Sequence, residues 1–201
     1  PYHIISIKEM VNAMDSTMGE VFEGTNPDVT EENIQARSRG LILMAYSNKF
    51  GPILLNTSNK SETAVGYATL YGDMCGGLSP IGDLYKTQVY EMARYINRNG
   101  VIIPEEIITK APSAELRPNQ KDSDSLPPYD LLDQILVHYI EEQKGWQEMV
   151  DLGFEEATVR KIVKLVDRNE YKRFQASPIL RISHKSFGMG RQMPLVAKYF
   201  N

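Results

Sequence analysis

The stretch Asn56-Thr57-Ser58-Asn59-Lys60-Ser61-Glu62-Thr63 gathers hydroxyl, amide, ammonium and carboxylate groups in consecutive positions. It follows a short apolar run, so these groups fall where a strand ends and a helix starts. Backbone N–H groups left free at such a point can meet an anion. Glu62, one turn further on, can offer a carboxylate to Mg2+ brought in with a nucleotide. The same spacing fits a capping box, with Asn59 capping the helix and Glu62 answering from the third helical position. Spacing leaves both readings open.

Four further features bear on chemistry. Asn33 and Arg37 are four residues apart and share a helix face, and an arginine fork can grip a phosphate or carboxylate. Tyr71-Gly72-Asp73-Met74-Cys75-Gly76-Gly77 is glycine-rich enough for close backbone approach, yet matches no phosphate-loop pattern. Lys86 opens a helix, where the dipole disfavours a cation, which hints at a phosphate partner. His184-Lys185, followed by Gly188-Met189-Gly190-Arg191, is a basic segment able to close over an anion. For Arg37 and Lys86 the plain alternative is a solvated surface cation. Cys75 has no neighbouring His and reads as a small buried thiol, not a nucleophile.

The elements that must position these groups read as follows. Ile7, Met10, Val11 and Met14 give helical spacing over 6–18. Thr30 is expected to cap a helix to about Ser47, with Ile34, Ser38, Leu41 and Ala45 on one face. Residues 52–56 suit a strand covered on both faces, as in a parallel sheet. A helix is expected over 86–99, ended by Gly100, with others at 130–142 and 155–169. Between them, 110–129 carries four prolines and a polar middle, a loop long enough to be functional. The sum is an α-rich part of an open α/β fold, in which ligands bind beyond the carboxyl ends of strands.

Composition narrows the function classes. The chain has 201 residues, a formal net charge of −4 and interspersed charges, against a basic nucleic-acid surface. No apolar run approaches the ~18 to 20 residues that cross a bilayer. A single cysteine precludes an internal disulfide and suggests a reduced, cytoplasmic setting. Three His and one Cys exclude a structural zinc site. The chain starts at Pro1, not Met, and reads as a processed or excised piece.

Taken in order, 32–39, 57–62, 71–77, 86–90, 112–118, 151–154 and 167–173 resemble NAD synthetases, closest to their glutamine-dependent branch. The resemblance implies an adenine nucleotide alpha hydrolase-like, Rossmann-like open parallel sheet with helices on both faces. It implies a ligase that adenylates the nicotinate carboxylate of deamido-NAD with ATP and Mg2+, releasing pyrophosphate. Ammonia, freed from glutamine by a glutaminase domain, then displaces AMP to give NAD. By position, Thr57, Lys86 and Ser113 are implied as ATP contacts. Asn33, Arg37, Glu62, Asp73, His184 and Lys185 are implied as deamido-NAD contacts, with Glu62 also implied for Mg2+. No catalytic side chain is implied. The loop at 110–129 resembles one that orders over substrates, and homodimers are usual in the family.

Short-branch relatives have a lysine where Leu70 stands and an aspartate near Gly77, so those contacts do not transfer. The family's Ser-Gly-Gly-x-Asp-Ser pyrophosphate loop is not found within 1–201, which is therefore read as a partial synthetase domain, inactive by itself. Two alternatives stand beside this reading: another ATP-pyrophosphatase such as a GMP synthetase, and a non-catalytic dimerisation or binding module.

Overall fold

The structure is a computed structural model and describes residues 2–196. Helix α1 runs Lys8–Phe22, α2 Val29–Phe50, α3 Lys60–Val65, α4 Lys86–Ile96 and α5 Glu105–Thr109. After the long loop come α6 (Tyr129–Leu136), α7 (Trp146–Asp151), α8 (Glu156–Arg168) and α9 (Glu170–Arg173).

The core forms where α3, α6, α7 and α8 meet. In α8, Val159, Ile162, Val163 and Val166 recur at helical spacing and are all buried, as the sequence pattern predicts. They pack on Leu132, Ile135 and Leu136 of α6, Met149 of α7, and Ala64 and Val65 of α3. Each such aliphatic side chain contributes about 1.5 to 3 kcal/mol by leaving water. Helix α6 passes into one π-helical turn, Val137–Glu141, which re-aims Glu141 toward the start of α3.

Helix α2 is built differently. Its cap is Asp28, not Thr30: the Thr30 N–H donates to Asp28 Oδ1 at 2.7 Å, and Glu31 Oε2 accepts from the Asp28 N–H at 2.6 Å. Ala36 and Gly40 pack against the turn at 66–75, Ser38 is buried on another face, and Leu41 is exposed. A Cβ on Gly40 would come within 2.8 Å of the Gly72 carbonyl oxygen, so only glycine admits this approach. Helix α1 packs on α2 and buries no residue of its own.

Among the described residues no continuous strand forms. Instead, 54–56, 77–79 and 178–179 lie side by side at isolated parallel bridges, Leu55 with Leu78 and Ser79 with Ile179. The N–H groups of Gly77, Asn56 and Ser79 donate to Leu54, Leu78 and Pro178 carbonyls, each at 2.8 Å. Pro52, Pro80 and Pro178 lack the donors that would lengthen these ladders, and Gly76-Gly77 weakens the middle segment. The expectation of a strand covered on both faces fails at Ile53 and Leu55, which are exposed. No helix among the described residues is long and apolar enough to cross a membrane.

Candidate functional site

The 56–63 motif is a tied hinge between an extended segment and α3. Asn56 is buried; its amide donates to the Asp73 carbonyl at 2.7 Å, and its Oδ1 accepts from the Ser58 N–H (2.9 Å) and Ser79 Oγ (3.1 Å). The capping box is present: Asn59 Oδ1 accepts from the Glu62 N–H at 3.0 Å, and Glu62 Oε2 accepts from the Asn59 N–H at 3.3 Å. The Lys60 N–H donates to the Leu84 carbonyl at 2.8 Å. The amides expected to be free for an anion at Ser58, Asn59, Lys60 and Glu62 are therefore already engaged.

What stays available is the pair above them. Lys86 Nζ lies 3.2 Å from Glu62 Oε1, and about a fifth of each side chain is exposed. The ammonium also sits 5.5 Å from the Tyr129 ring centroid and 5.9 Å from that of Tyr90. Burial pushes the Glu62 carboxyl above the usual carboxylate range, with Lys86 and the Asn59 amide pulling the other way. Asp133 fixes the base of this arrangement. It accepts from Ser61 Oγ (2.5 Å) and from the Thr87 N–H and hydroxyl (2.9 Å each), so α3 and the start of α4 are locked together.

A cleft of about 380 Å³ opens on the other side of the motif, between α2 and the turn at 66–75. Thr57, Asp73 and Cys75 line it with Ala36 and Gly40. Asn33 Oδ1 accepts from Thr69 Oγ1 at 2.8 Å, and Asp73 Oδ1 from the Thr69 N–H at 2.5 Å. Arg37 is exposed and donates to the Leu70 carbonyl at 3.2 Å. Burial and the nearby Asp73 push the Cys75 thiol up, away from nucleophilic use.

The long loop covers this cleft from one side through Glu115 and Leu116. It is pinned to α2: Gln35 Nε2 donates to the Leu116 carbonyl (3.0 Å), and Arg117 Nε lies 3.4 Å from Glu32 Oε1. Its far end is held where the Tyr129 hydroxyl donates to buried Asp122 Oδ2 at 2.7 Å. Ser113 sits within the loop and accepts from the Glu115 N–H at 3.0 Å, in the recess next to the Thr57 cleft.

Thr57 and Asp73 thus share one cleft, whereas Asn33 and Arg37 are tied to Thr69 and Leu70 of the same turn without lining that cleft; Glu62 and Lys86 form a second group across the motif, and Ser113 lies on the covering loop. His184 and Lys185 line no part of the Thr57 cleft. Lys185 borders a separate recess with Tyr139, Gln143 and Arg191. The sequence reading missed Lys60, Asp83 and Glu141, which meet behind that segment. Burial pushes the Asp83 carboxyl up, but the Ser183 and Ile182 N–H groups and Lys60 outweigh it and hold the carboxyl below the usual range. Lys60 was in view within the motif; nothing local marks it as buried.

Comparison with known proteins adds an independent line. A curated glutamine-dependent NAD+ synthetase from Acinetobacter baylyi is 51% identical over 97% of this chain and 36% of its own length. The chain therefore spans about a third of the length of such curated relatives. A solved glutamine-dependent NAD+ synthetase from Acinetobacter baumannii, in complex with adenosine diphosphate, aligns at 45% identity with a TM-score of 0.50, covering 94% of this chain and 34% of that one. Another, from Cytophaga hutchinsonii, gives a TM-score of 0.73 at 25% identity over 97% and 34%. Residues 1–176 match the sequence profile of NAD synthase, and the chain belongs to that family.

Proposed function

We propose that this chain forms part of a synthetase domain, over 1–201, that amidates deamido-NAD to NAD at the expense of ATP. The half-open Lys86–Glu62 pair carries the reading, because an ammonium backed by aromatic rings and held by one carboxylate can exchange that partner for a phosphate. A carboxylate has a poor leaving group, so an oxygen of the nicotinate attacks the α-phosphorus of ATP and pyrophosphate departs. Ammonia then attacks the acyl carbon, AMP leaves with the bonding pair, and the nitrogen loses its extra proton.

In this reading Lys86 meets phosphate charge, and the Thr57 and Ser113 hydroxyls donate to the nucleotide. Asn33, Arg37 and Asp73 hold the dinucleotide beside α2, and Lys185, from its own recess, and neighbouring His184 contact it from the other side. These roles are chiefly positioning and electrostatic. No group of three or more His, Cys, Asp or Glu able to hold a metal occurs among the described residues. Mg2+ fits here only as the companion of nucleotide phosphates, with Glu62 as its single protein carboxylate, and would offset phosphate charge.

The side-by-side segments at 54–56, 77–79 and 178–179 support the open parallel sheet of an adenine nucleotide alpha hydrolase-like fold. Exposed Leu41, Leu43, Tyr46 and Phe50 on α2 support a homo-oligomer. The lone cysteine supports a cytoplasmic setting, and the ammonia is assigned to glutamine hydrolysis elsewhere in the enzyme. Calorimetry of the full chain with deamido-NAD, with and without ATP and Mg2+, tests the reading. Saturable dinucleotide binding is expected, and equal or tighter binding of xanthosine monophosphate would favour the GMP synthetase alternative instead.

A further inference from the structure

We infer that Lys60 is a positioning residue for the dinucleotide side of the site, acting through the backbone that presents His184 and Lys185. The inference rests on the reading above that those two residues contact deamido-NAD. Lys60 has no exposed surface and touches no cleft, so it cannot meet a ligand itself. Its ammonium has four oxygen partners: Asp83 Oδ1 at 3.0 Å, Ser183 Oγ at 2.8 Å, the Lys185 carbonyl at 3.1 Å, and Glu141 Oε1. Two of these belong to the 183–185 segment directly.

The rest reach the same segment at one remove. Asp83 Oδ2 accepts from the N–H groups of Ile182 (2.8 Å) and Ser183 (2.6 Å), and its Oδ1 from Ser183 Oγ (2.8 Å). Glu141 Oε2 accepts from the Lys185 N–H at 3.1 Å. One buried cation therefore holds two carboxylates, and the two carboxylates hold three amides flanking His184. The rings of Tyr85 and Phe187, 5.0 and 6.0 Å from the ammonium, close the chamber. Without the cation, buried Asp83 and mostly covered Glu141 would face each other as two carboxylates, and 182–185 would lose its frame.

A purely structural lysine would affect every ligand alike; a positioning lysine affects one. The test uses Lys60→Met and Ser183→Ala in the full chain, beside Lys185→Ala. Amide hydrogen exchange and binding of deamido-NAD and ATP are measured separately. Exchange at Ile182, Ser183 and Lys185 is expected to quicken by at least about tenfold in Ser183→Ala while α8 amides keep their protection. Deamido-NAD affinity is expected to fall by at least about threefold with ATP affinity within about twofold. Unchanged exchange at those amides, or equal losses for both ligands, overturns the inference. If Lys60→Met does not fold, Ser183→Ala decides. If the unsubstituted chain shows no deamido-NAD binding, or Lys185→Ala leaves it intact, the functional reading fails instead, and exchange still judges the frame.

Discussion

Lys60 opens α3 and Lys86 opens α4, each paired with carboxylate, yet they live in opposite conditions. Lys60 is sealed, with four oxygen partners that all belong to the protein. Lys86 shares one carboxylate, keeps part of its surface in water, and rests against two aromatic faces. Burying a charge costs so much that a sealed cation must be fully matched by its surroundings. A half-open cation needs only a partial match, and that remainder is what a ligand can use. Residue type and spacing do not separate the two lysines; solvent does.

The largest effect is expected from Lys60→Met, which leaves buried Asp83 and partly exposed Glu141 side by side without their cation. A loss of about 3 to 5 kcal/mol is expected, read as a fall in thermal midpoint of about 10 °C for a chain of this size. A midpoint within 2 °C of the unsubstituted chain would erase the contrast. Glu141→Gln is expected to cost less, because Asp83 still neutralises Lys60; denaturant titration should place it between Lys60→Met and the parent. Were it the worse of the two, Glu141 and not Lys60 would be the centre of the network.

The open pair is expected to show its exposure through pH. The folded Glu62 carboxyl is raised, so folding favours its protonated form more than the unfolded chain does. That contribution is fully present below the ordinary carboxylate value, about 4.3, and is lost as pH rises through the raised value. The stability of the parent relative to Glu62→Gln should therefore decline modestly over that window. A rise over the same window would show that the Lys86 attraction outweighs burial.

Local signals in the sequence carried the fold only as far as local physics reaches. The buried stripe of α8 and the Asn59–Glu62 capping box were legible because both depend on residues within a turn or two. The cap expected at Thr30 falls instead to Asp28, two residues earlier, which completes a box with Glu31. The apolar run at 53–55 predicts burial on both faces, but Ile53 and Leu55 are exposed among the described residues. The resemblance names Thr57 and Asp73, while their meeting in one cleft depends on Gly40 and Gly72, whose role is invisible until the elements touch. The Lys60 network was out of reach entirely. It joins positions 60, 83, 141, 183 and 185, and Glu141 points inward through a π turn that no periodicity signals.

The division between a sealed and an open lysine is tested most directly by Lys86→Met, with ATP affinity and thermal midpoint measured on one preparation. ATP affinity is expected to fall by at least about tenfold, or about 1.4 kcal/mol, while the midpoint moves by no more than about 3 °C, as for a pair with about a fifth of each side chain still in water. Unchanged ATP affinity, or a midpoint loss matching that of Lys60→Met, would contradict the account.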